Sequence, residues 1–286
     1  MTAPEAIRWQ GGLHIVGTPL WCDVLRPRGA CFVSSVTTLL GGRSGAKQLI
    51  VSGDVGARIT ALGLVPPHAL LTVRPYRPFT LGRARLEILE TGEANAAALS
   101  VEVDGRRLLY VDALPHSGVT LRDADVLIVG RTLVADPVKQ LDHMVQIIDH
   151  RLQQDGRADV VVRDPAWLPV LARWPLRLSP QLAALARELQ LLPNGTEPLA
   201  SSTTPSSAFV TAGLRGPRTH LLLDKRPSDA SRIGPLAESL SAKTLFVAPP
   251  LPIPASAVSA ALRVVEIGRP TQLPLWPGPP AGAGPG

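Results

Sequence analysis

The sequence contains few of the residue types on which catalysis and metal binding most often depend. Only 4% of its 286 residues are aromatic, and its two cysteines, Cys22 and Cys31, fit neither a zinc motif nor a disulfide framework. We therefore expect two small buried thiols. No apolar run reaches the roughly 18 residues that cross a bilayer, and the N-terminus lacks the basic and apolar regions of a secretory signal. These absences predict a cytoplasmic protein without membrane contact.

Histidines are also few and dispersed. No two of the six lie within four positions of each other, and His143 and His150 would be about 10 Å apart along a helix, too far for one metal ion. The chain has no G-x-S-x-G elbow, no complete phosphate-binding loop and no dinucleotide fingerprint. Asp112 and His116, in "YVDALPHSG", form only a weak loop pair. We expect no bound metal and no cofactor.

Lysine is scarce as well, so the net charge of +6 comes almost wholly from arginine. Basic side chains attract phosphates, but the arginines are scattered and the few aromatics make no base-stacking pattern. The densest basic clusters supply the candidate nucleic-acid contacts, which are Arg26, Arg28, Arg74, Arg77, Arg106 and Arg107.

The patterns that are present predict a mixed α/β protein. Two alternating apolar runs flank Asp104-Gly105, a dipeptide typical of tight hairpins. "DADVLIVG" is typical of a strand buried on both faces, and residues 137–153 repeat apolar positions at helical spacing. Strands dominate the first half and strand–helix alternation the second, which favours the α/β or α+β class. Segment 193–207 is polar and is predicted to be a mobile loop.

Residues 31–42, "CFVSSVTTLLGG", predict a buried strand that runs into a Gly-Gly turn. The preceding segment resembles one that presents a functional loop. What this position presents is nevertheless two serines, two threonines and two leucines, none of which is a good acid, base or metal ligand at neutral pH.

The order of segments resembles the metallo-β-lactamase-fold nucleases of the β-CASP group, and especially the bacterial ligase-associated DNA exonucleases. The matching text is "GLHIVGTPLWCDVLRPRGACFVSS", "RPYRPFTLGRARLEILETGEANAAALSVEVDGRRLLYVDAL", "DADVLIVGRT" and "GRPTQLPLW". Members of that family place an Asp after an aromatic residue, as in Trp21-Cys22-Asp23. They then run Phe-Val-Ser, here residues 32–34, directly into the zinc motif H-x-H-x-D-H.

Carried over position by position, the resemblance implies that the zinc ligands are lost. The family's ligand positions fall on Ser35, Thr37, Leu39, Leu40, Glu93, Ala113, Gly130 and Pro249. The family's late histidine falls near Ser228 or Asp229. Hydroxyl and alkyl groups cannot hold two zinc ions or activate a bridging water. We expect Leu39 and Leu40 to pack inward and to fill the vacated space.

The resemblance also implies an αββα sandwich with a reduced β-CASP-like insertion. The expected division is a first metallo-β-lactamase-like part at 1–150, an insertion at 151–215, a return to the core at 216–276 and a disordered tail at 277–286.

Three hypotheses for function follow. The first is a catalytically inactive pseudo-nuclease that serves as a structural or regulatory subunit of a nucleic-acid processing or DNA-repair assembly. Its partner would be another protein, such as an active nuclease, a helicase or a ligase. The second is a nucleic-acid-binding module that has lost hydrolysis. The third is a hydrolase with a rebuilt site around Asp112, His116, Glu93 and Asp229.

Overall fold

The computed structural model describes residues 7–9, 13–24, 29–40, 45, 47–93, 96–116, 118–130, 133–134, 137–162, 164–192, 207–212, 221–223, 228–247 and 262–266. The strands are β1 (Ile7–Trp9), β2 (Leu13–Ile15), β3 (Leu20–Cys22), β4 (Ala30–Phe32), β5 (Gln48–Ser52), β6 (Leu70–Val73), β7 (Phe79–Leu81), β8 (Ala84–Glu90), β9 (Ala97–Val103), β10 (Arg106–Val111), β11 (Val126–Val129), β12 (Leu133–Val134), β13 (Arg157–Val162), β14 (Leu176–Leu178), β15 (Ser207–Ala212), β16 (Leu221–Leu223), β17 (Ser228–Asp229), β18 (Thr244–Val247) and β19 (Arg263–Glu266). The helices are α1 (Val36–Leu40), α2 (Gly53–Ala61), α3 (Pro137–Asp155), α4 (Leu168–Leu171), α5 (Pro180–Glu188) and α6 (Ile233–Ser239).

Two large mixed sheets form the main body. One has the order β1-β2-β3-β4-β5-β6, and the other has the order β19-β18-β11-β10-β9-β8-β7. In the second sheet β10, β11, β18 and β19 run parallel, so their carboxyl ends meet at one end of the sheet. This end is where loops of open α/β sheets usually carry functional groups.

Alternation along the strands separates an inner face from an outer face in both sheets. Inner side chains such as Phe32, Ile50, Leu86 and Ile128 share one apolar cluster between the sheets. On the outer face of the seven-stranded sheet a second cluster includes residues of α6. A third cluster lies on the outer face of the six-stranded sheet and includes residues of α1, α2 and α5. The predicted αββα sandwich is therefore confirmed.

Local sequence signals account for several of these elements. Asp104 and Gly105 both have positive φ, 50° and 73°, and they connect β9 to its antiparallel neighbour β10 as a tight turn. The predicted strand in "DADVLIVG" is β11, whose four residues are all buried between β10 and β18. The helix predicted at 137–153 is α3, which extends to Asp155.

The prediction of a continuous strand in residues 31–42 is wrong. Strand β4 ends at Phe32, and residues 36–40 form the short helix α1. The Ser35 side chain accepts a hydrogen bond from the Thr37 backbone N–H (3.1 Å), and the Thr38 N–H donates to the Ser35 carbonyl (3.2 Å). These local bonds turn the chain, and they outweigh the strand preference of the β-branched residues. The predicted Gly-Gly turn lies outside the described residues.

A third, all-parallel sheet has the order β14-β15-β13-β16 and its own apolar cluster, to which Met144 and Ile148 of α3 belong. Helix α5 packs on both units, because its Leu182 lies in this cluster and its Leu185 lies against the six-stranded sheet. Glu188 of α5 also pairs with Arg58 of α2 at 3.3 Å. The predicted division at residue 150 falls inside α3, and the boundaries themselves stay a prediction. The tail at 277–286 and most of segment 193–207 lie outside the described residues.

Candidate functional site

Asp23 is the centre of the polar structure at the carboxyl end of the sandwich. It follows β3 with a left-handed φ of 49°, and its backbone N–H donates to the Phe32 carbonyl at 2.9 Å. That bond extends the pairing of β3 with β4 by one residue. The Asp23 side chain is thereby placed beside residues 34–38, which the resemblance aligns with a zinc motif.

Four donors converge on the Asp23 carboxylate. Oδ1 accepts from the Ser34 backbone N–H (2.9 Å) and from the Thr38 hydroxyl (2.9 Å). Oδ2 accepts from the Ser34 hydroxyl (2.5 Å) and from the Tyr110 hydroxyl (2.6 Å). A carboxylate offers about four lone-pair positions, so these bonds satisfy it within the protein. We call Asp23, Ser34, Thr38 and Tyr110 the Asp23 network.

Tyr110 joins the two sheets through this network. It lies in β10, is 3% exposed, and meets the Phe32 ring edge-on at a centroid distance of 6.2 Å. Burial raises the pKa of its hydroxyl well above the ordinary value, and the nearby Asp23 and Asp112 carboxylates raise it further. The hydroxyl therefore keeps its proton and acts as a donor to Asp23.

The lack of a side chain at Gly130 leaves room for the Tyr110 ring. The residue directly follows β11, next to β10. A Cβ built on Gly130 would overlap the Tyr110 hydroxyl and would lie 2.9 Å from Cζ. The position that the resemblance aligns with an acidic zinc ligand is thus one where a side chain and the Tyr110 ring exclude each other.

Ser35 and Thr37 bond to each other rather than facing an open space. Their hydroxyls form a hydrogen bond, and both residues are buried. Ser35 also makes an isolated antiparallel bridge with Ala96, and the Ala97 N–H donates to the Ser34 carbonyl at 2.7 Å. The segment is therefore attached to the start of β9.

Leu39 and Leu40 are buried, as expected, at 4% and 5% exposure, but they pack between the six-stranded sheet and its helices rather than beside Gly130. They belong to the outer cluster of the six-stranded sheet, together with Val33, Leu49 and Ile59. Their packing stabilises the attachment of α1 and α2 to that sheet. The space beside Gly130 is instead occupied by Tyr110.

Two of the remaining aligned positions, Glu93 and Ala113, follow β8 and β10 at the same end of the seven-stranded sheet. Glu93 is half-buried in the loop after β8, where its N–H approaches the Thr91 hydroxyl at 3.4 Å. Ala113 is buried, and so is the neighbouring Asp112. Pro249 lies outside the described residues.

The rebuilt site of the third hypothesis is only partly assembled. His116 is exposed but its backbone N–H donates to the Thr91 carbonyl (2.9 Å), which places it beside the Gly92–Glu93 loop. Arg232 donates to the Pro115 carbonyl, so the turn that follows Asp229 lies close to the segment that contains His116. Asp229 itself accepts from the Ser231 N–H at 2.9 Å. Across the described part of the chain, no three His, Cys, Asp or Glu side chains are grouped closely enough to hold a metal ion.

The candidate nucleic-acid contacts lie at different positions along the strand direction of the sandwich. Arg74 and Arg77 flank Tyr76, whose N–H donates to the Ile88 carbonyl at 2.8 Å. Ile88 pairs with Leu99, which pairs with Tyr110. Arg106 and Arg107 begin the same strand three to four residues earlier, about 10 Å or more away along it. Arg26 and Arg28 lie outside the described residues.

An open cleft of about 320 Å³ lies at the opposite end, at the amino ends of β10, β11 and β18. Charged residues of both signs line it, namely Glu102, Arg106, Arg107, Asp123, Asp125 and Lys243. The Asp125 carboxylate accepts from the Arg107 backbone N–H at 3.0 Å. The Arg107 guanidinium donates to the Asp123 carbonyl at 3.2 Å.

No family model and no curated protein matches the chain. Among solved structures it is similar to a protein of unknown function from Enterococcus faecalis V583, at 9% identity and a TM-score of 0.39, over 82% of this chain and 78% of that one. It is also similar to the metallo-beta-lactamase fold protein YhfI from Bacillus subtilis (10%, TM-score 0.41, 90% and 88%). A shorter similarity is to Zn²⁺-bound PqqB from Methylobacterium extorquens (17%, TM-score 0.32, 49% and 59%). At these TM-scores no residue role passes from those proteins to this chain.

Sequence reasoning found Asp23 only as part of a resemblance and did not predict its partners. Asp23 and Tyr110 are 87 residues apart, and none of the three hydroxyl partners, Ser34, Thr38 and Tyr110, has a distinctive local motif. The aligned "WCD" and "FVS" segments were the available signal. No helix among the described residues is both long enough and apolar enough to span a membrane.

Proposed function

We propose that this chain is a non-catalytic αββα protein, a degenerate metallo-β-lactamase-fold relative of the β-CASP nucleases, that acts as a structural or regulatory subunit. The observation that carries the proposal is the Asp23 network. A carboxylate at the carboxyl ends of the strands is satisfied by two hydroxyls of the adjoining segment, one backbone N–H and Tyr110.

Such a network suits a structural role better than a catalytic one. A metal-binding or proton-transferring carboxylate needs at least one lone pair directed at its ion or substrate. Here the donors occupy both oxygens, and the Tyr110 ring fills the space at Gly130. The same end of the sandwich therefore contributes stability.

The partner we propose is another protein of a nucleic-acid processing or DNA-repair assembly in the cytoplasm, such as an active nuclease, a helicase or a ligase. This part of the proposal depends on the sequence resemblance rather than on a contact in the structure. A subunit without its own chemistry acts through binding, so its surface must hold the determinants of function.

Metal content and hydrolysis test the proposal together. The purified chain is equilibrated with Zn²⁺ or Mn²⁺, dialysed and analysed for metal, and is then incubated with single- and double-stranded DNA and with bis(p-nitrophenyl) phosphate. We expect far less than one equivalent of metal and no hydrolysis above that of a mock preparation.

Asp112→Asn and His116→Ala provide the matched variants, because both residues belong to the rebuilt-site hypothesis. Hydrolysis by the wild-type chain that either variant abolishes would establish a rebuilt active site and overturn the proposal. Hydrolysis that survives in both variants must be followed through a second chromatography step. Activity that separates from the chain belongs to a contaminating nuclease, whereas activity that co-elutes with the chain would overturn the proposal.

A further inference from the structure

Strand β6 ends the six-stranded sheet and has a neighbour, β5, on only one side among the described strands. An edge strand of this kind leaves a row of backbone N–H and carbonyl groups available for another strand. Recognition by strand addition uses such a row for affinity and the neighbouring side chains for specificity.

Exposed apolar side chains accompany this edge. Within the described ranges, the exposed large apolar residues are Leu71, at 37%, and Tyr76, at 44%. Leu71 belongs to β6, and Tyr76 lies in the loop that follows it. Tyr76 also has a left-handed φ of 60°, an unfavourable conformation for an aromatic residue. Its backbone N–H donates to the Ile88 carbonyl at 2.8 Å, which holds the loop against the second sheet.

Two exposed arginines flank Tyr76 and have no carboxylate partner among the described residues. Arg74 and Arg77 make no ion pair with any described residue. Other surface arginines do pair, for example Arg122 with Glu87 at 3.0 Å and Arg157 with Asp159 at 2.7 Å. Among the described residues, the edge therefore combines a backbone with no second neighbouring strand, two apolar side chains and two positive charges outside any ion pair.

We propose that the β6 edge surface, defined as Leu71, Arg74, Tyr76 and Arg77, binds an extended acidic segment of a partner protein as an added strand beside β6. This inference rests on the proposed function, since it names the surface through which a non-catalytic subunit engages its partner. The backbone of β6 supplies the pairing, and the two arginines select carboxylates.

The positive charge of the β6 edge surface disfavours a second copy of the chain and its own C-terminal segment as the bound strand. A second copy paired antiparallel about a two-fold axis would place Arg74 and Arg77 beside the residues that precede β6, and residues 61–70 contain no Asp or Glu to meet them. The C-terminal segment 267–286 contains no Asp or Glu. Nucleic acid could meet the arginines, but it cannot pair with a strand backbone or use the apolar side chain of Leu71 in that way.

The test uses a labelled synthetic peptide of about eight residues, long enough to span β6 with flanking charge. Valine and threonine alternate in its centre, and glutamates stand at both ends. Fluorescence anisotropy measures its binding to the full chain, and amide chemical shifts locate the contact. We expect shifts concentrated at residues 70–77 and weakening at higher salt. Arg74→Glu combined with Arg77→Glu should weaken binding about tenfold or more.

Two controls separate strand addition from general charge attraction. A peptide in which every central backbone amide is N-methylated keeps its charge but has no N–H to donate from either edge, so its binding should be lost. The double variant Arg85→Glu and Arg106→Glu changes the net charge equally on the other sheet, and its affinity should stay within about twofold of wild type.

Several results would overturn the inference. They are no binding at millimolar peptide, equal binding of the N-methylated peptide, equal weakening in the control variant, or tighter binding of a DNA oligonucleotide at the same residues. The proposed function fails separately: hydrolysis by the chain would remove it even if the peptide bound at β6.

Discussion

Carboxylates at the two ends of the parallel strands β10, β11 and β18 differ in their hydrogen-bond partners and in the space beside them. At the carboxyl ends, Asp23 accepts from side-chain hydroxyls on two segments of the chain, and a tyrosine ring fills the adjoining space. At the amino ends, Asp125 accepts from one backbone N–H beside an open cleft of about 320 Å³.

The two ends of the sheet therefore differ in how fully their polar groups are satisfied within the protein. In open α/β sheets ligands usually bind at the carboxyl ends of the strands. Here the described residues at that end satisfy the Asp23 carboxylate by internal hydrogen bonds, and we call this the closed end. The amino end, which carries charged residues of both signs and the hairpin turn, has an open cleft. We therefore expect residues of the closed end to affect stability much more than residues of the open end.

Removing the two carboxylates should give the largest contrast. Asp23→Ala leaves the donors of Ser34, Thr38 and Tyr110 without their acceptor in a largely buried site, so we expect a loss of about 3 kcal/mol or more in the free energy of unfolding. Asp125→Ala leaves one backbone N–H beside an open cleft and should cost about 1 kcal/mol. Urea denaturation measures both. Equal losses would remove the distinction between the ends.

Adding a methyl group tests whether the closed end is full. Gly130→Ala forces a Cβ against the Tyr110 ring, and we expect a loss of about 2–3 kcal/mol from the strain. Gly53→Ala, in α2, is the matched control because no atom lies within 4 Å of its added Cβ. It should be neutral or slightly stabilising. A neutral Gly130→Ala would mean that Tyr110 moves aside at little cost.

The buried thiol near Asp23 predicts a loss of stability in alkali. Burial raises the pKa of Cys31 from 9.0 to about 12, and the Asp23 charge adds to the shift. Between these values the unfolded chain has lost the proton that the folded chain retains. The free energy of unfolding should therefore fall as pH rises from 9 to 12, with this thiol contributing up to about 1.4 kcal/mol per pH unit.

Cys31→Ala should flatten that dependence, whatever its effect at neutral pH. Tyr110, whose pKa is also raised, adds a slope of the same sign above pH 10. Thermal melts at several pH values give the slopes. An unchanged slope in Cys31→Ala would show that its ionisation does not contribute.

Loss of one donor should have the smallest effect. Thr38→Val removes a hydroxyl from Asp23 Oδ1, which still accepts from the Ser34 N–H, so we expect a cost of about 1 kcal/mol. The control is Thr60→Val, because the Thr60 hydroxyl bonds only to the helix carbonyl of Gly56 at an exposed position. Its cost should lie within about 0.5 kcal/mol of zero. Equal costs would indicate that the network adds nothing to the Thr38 bond.

Sequence patterns predicted the elements whose determinants are local. The Asp104-Gly105 turn needs only two residues that accept positive φ, and α3 needs only a regular apolar repeat. Prediction failed at α1. Its β-branched residues favour a strand by propensity, whereas the bonds around Ser35 and the burial of Leu39 and Leu40 favour a turn of helix.

The amino-acid order by itself determined the hairpin, the buried strand β11 and the long helix α3, because each depends on residues that are near one another in the chain. It also determined that side chains able to hold zinc are absent from the aligned segment at 35–40. Only the tertiary structure decided what stands there instead. Asp23 follows β3, Ser34 follows β4, and Tyr110 lies in β10 of the other sheet. Their contact depends on how the two sheets pack, and no local sequence pattern encodes that packing.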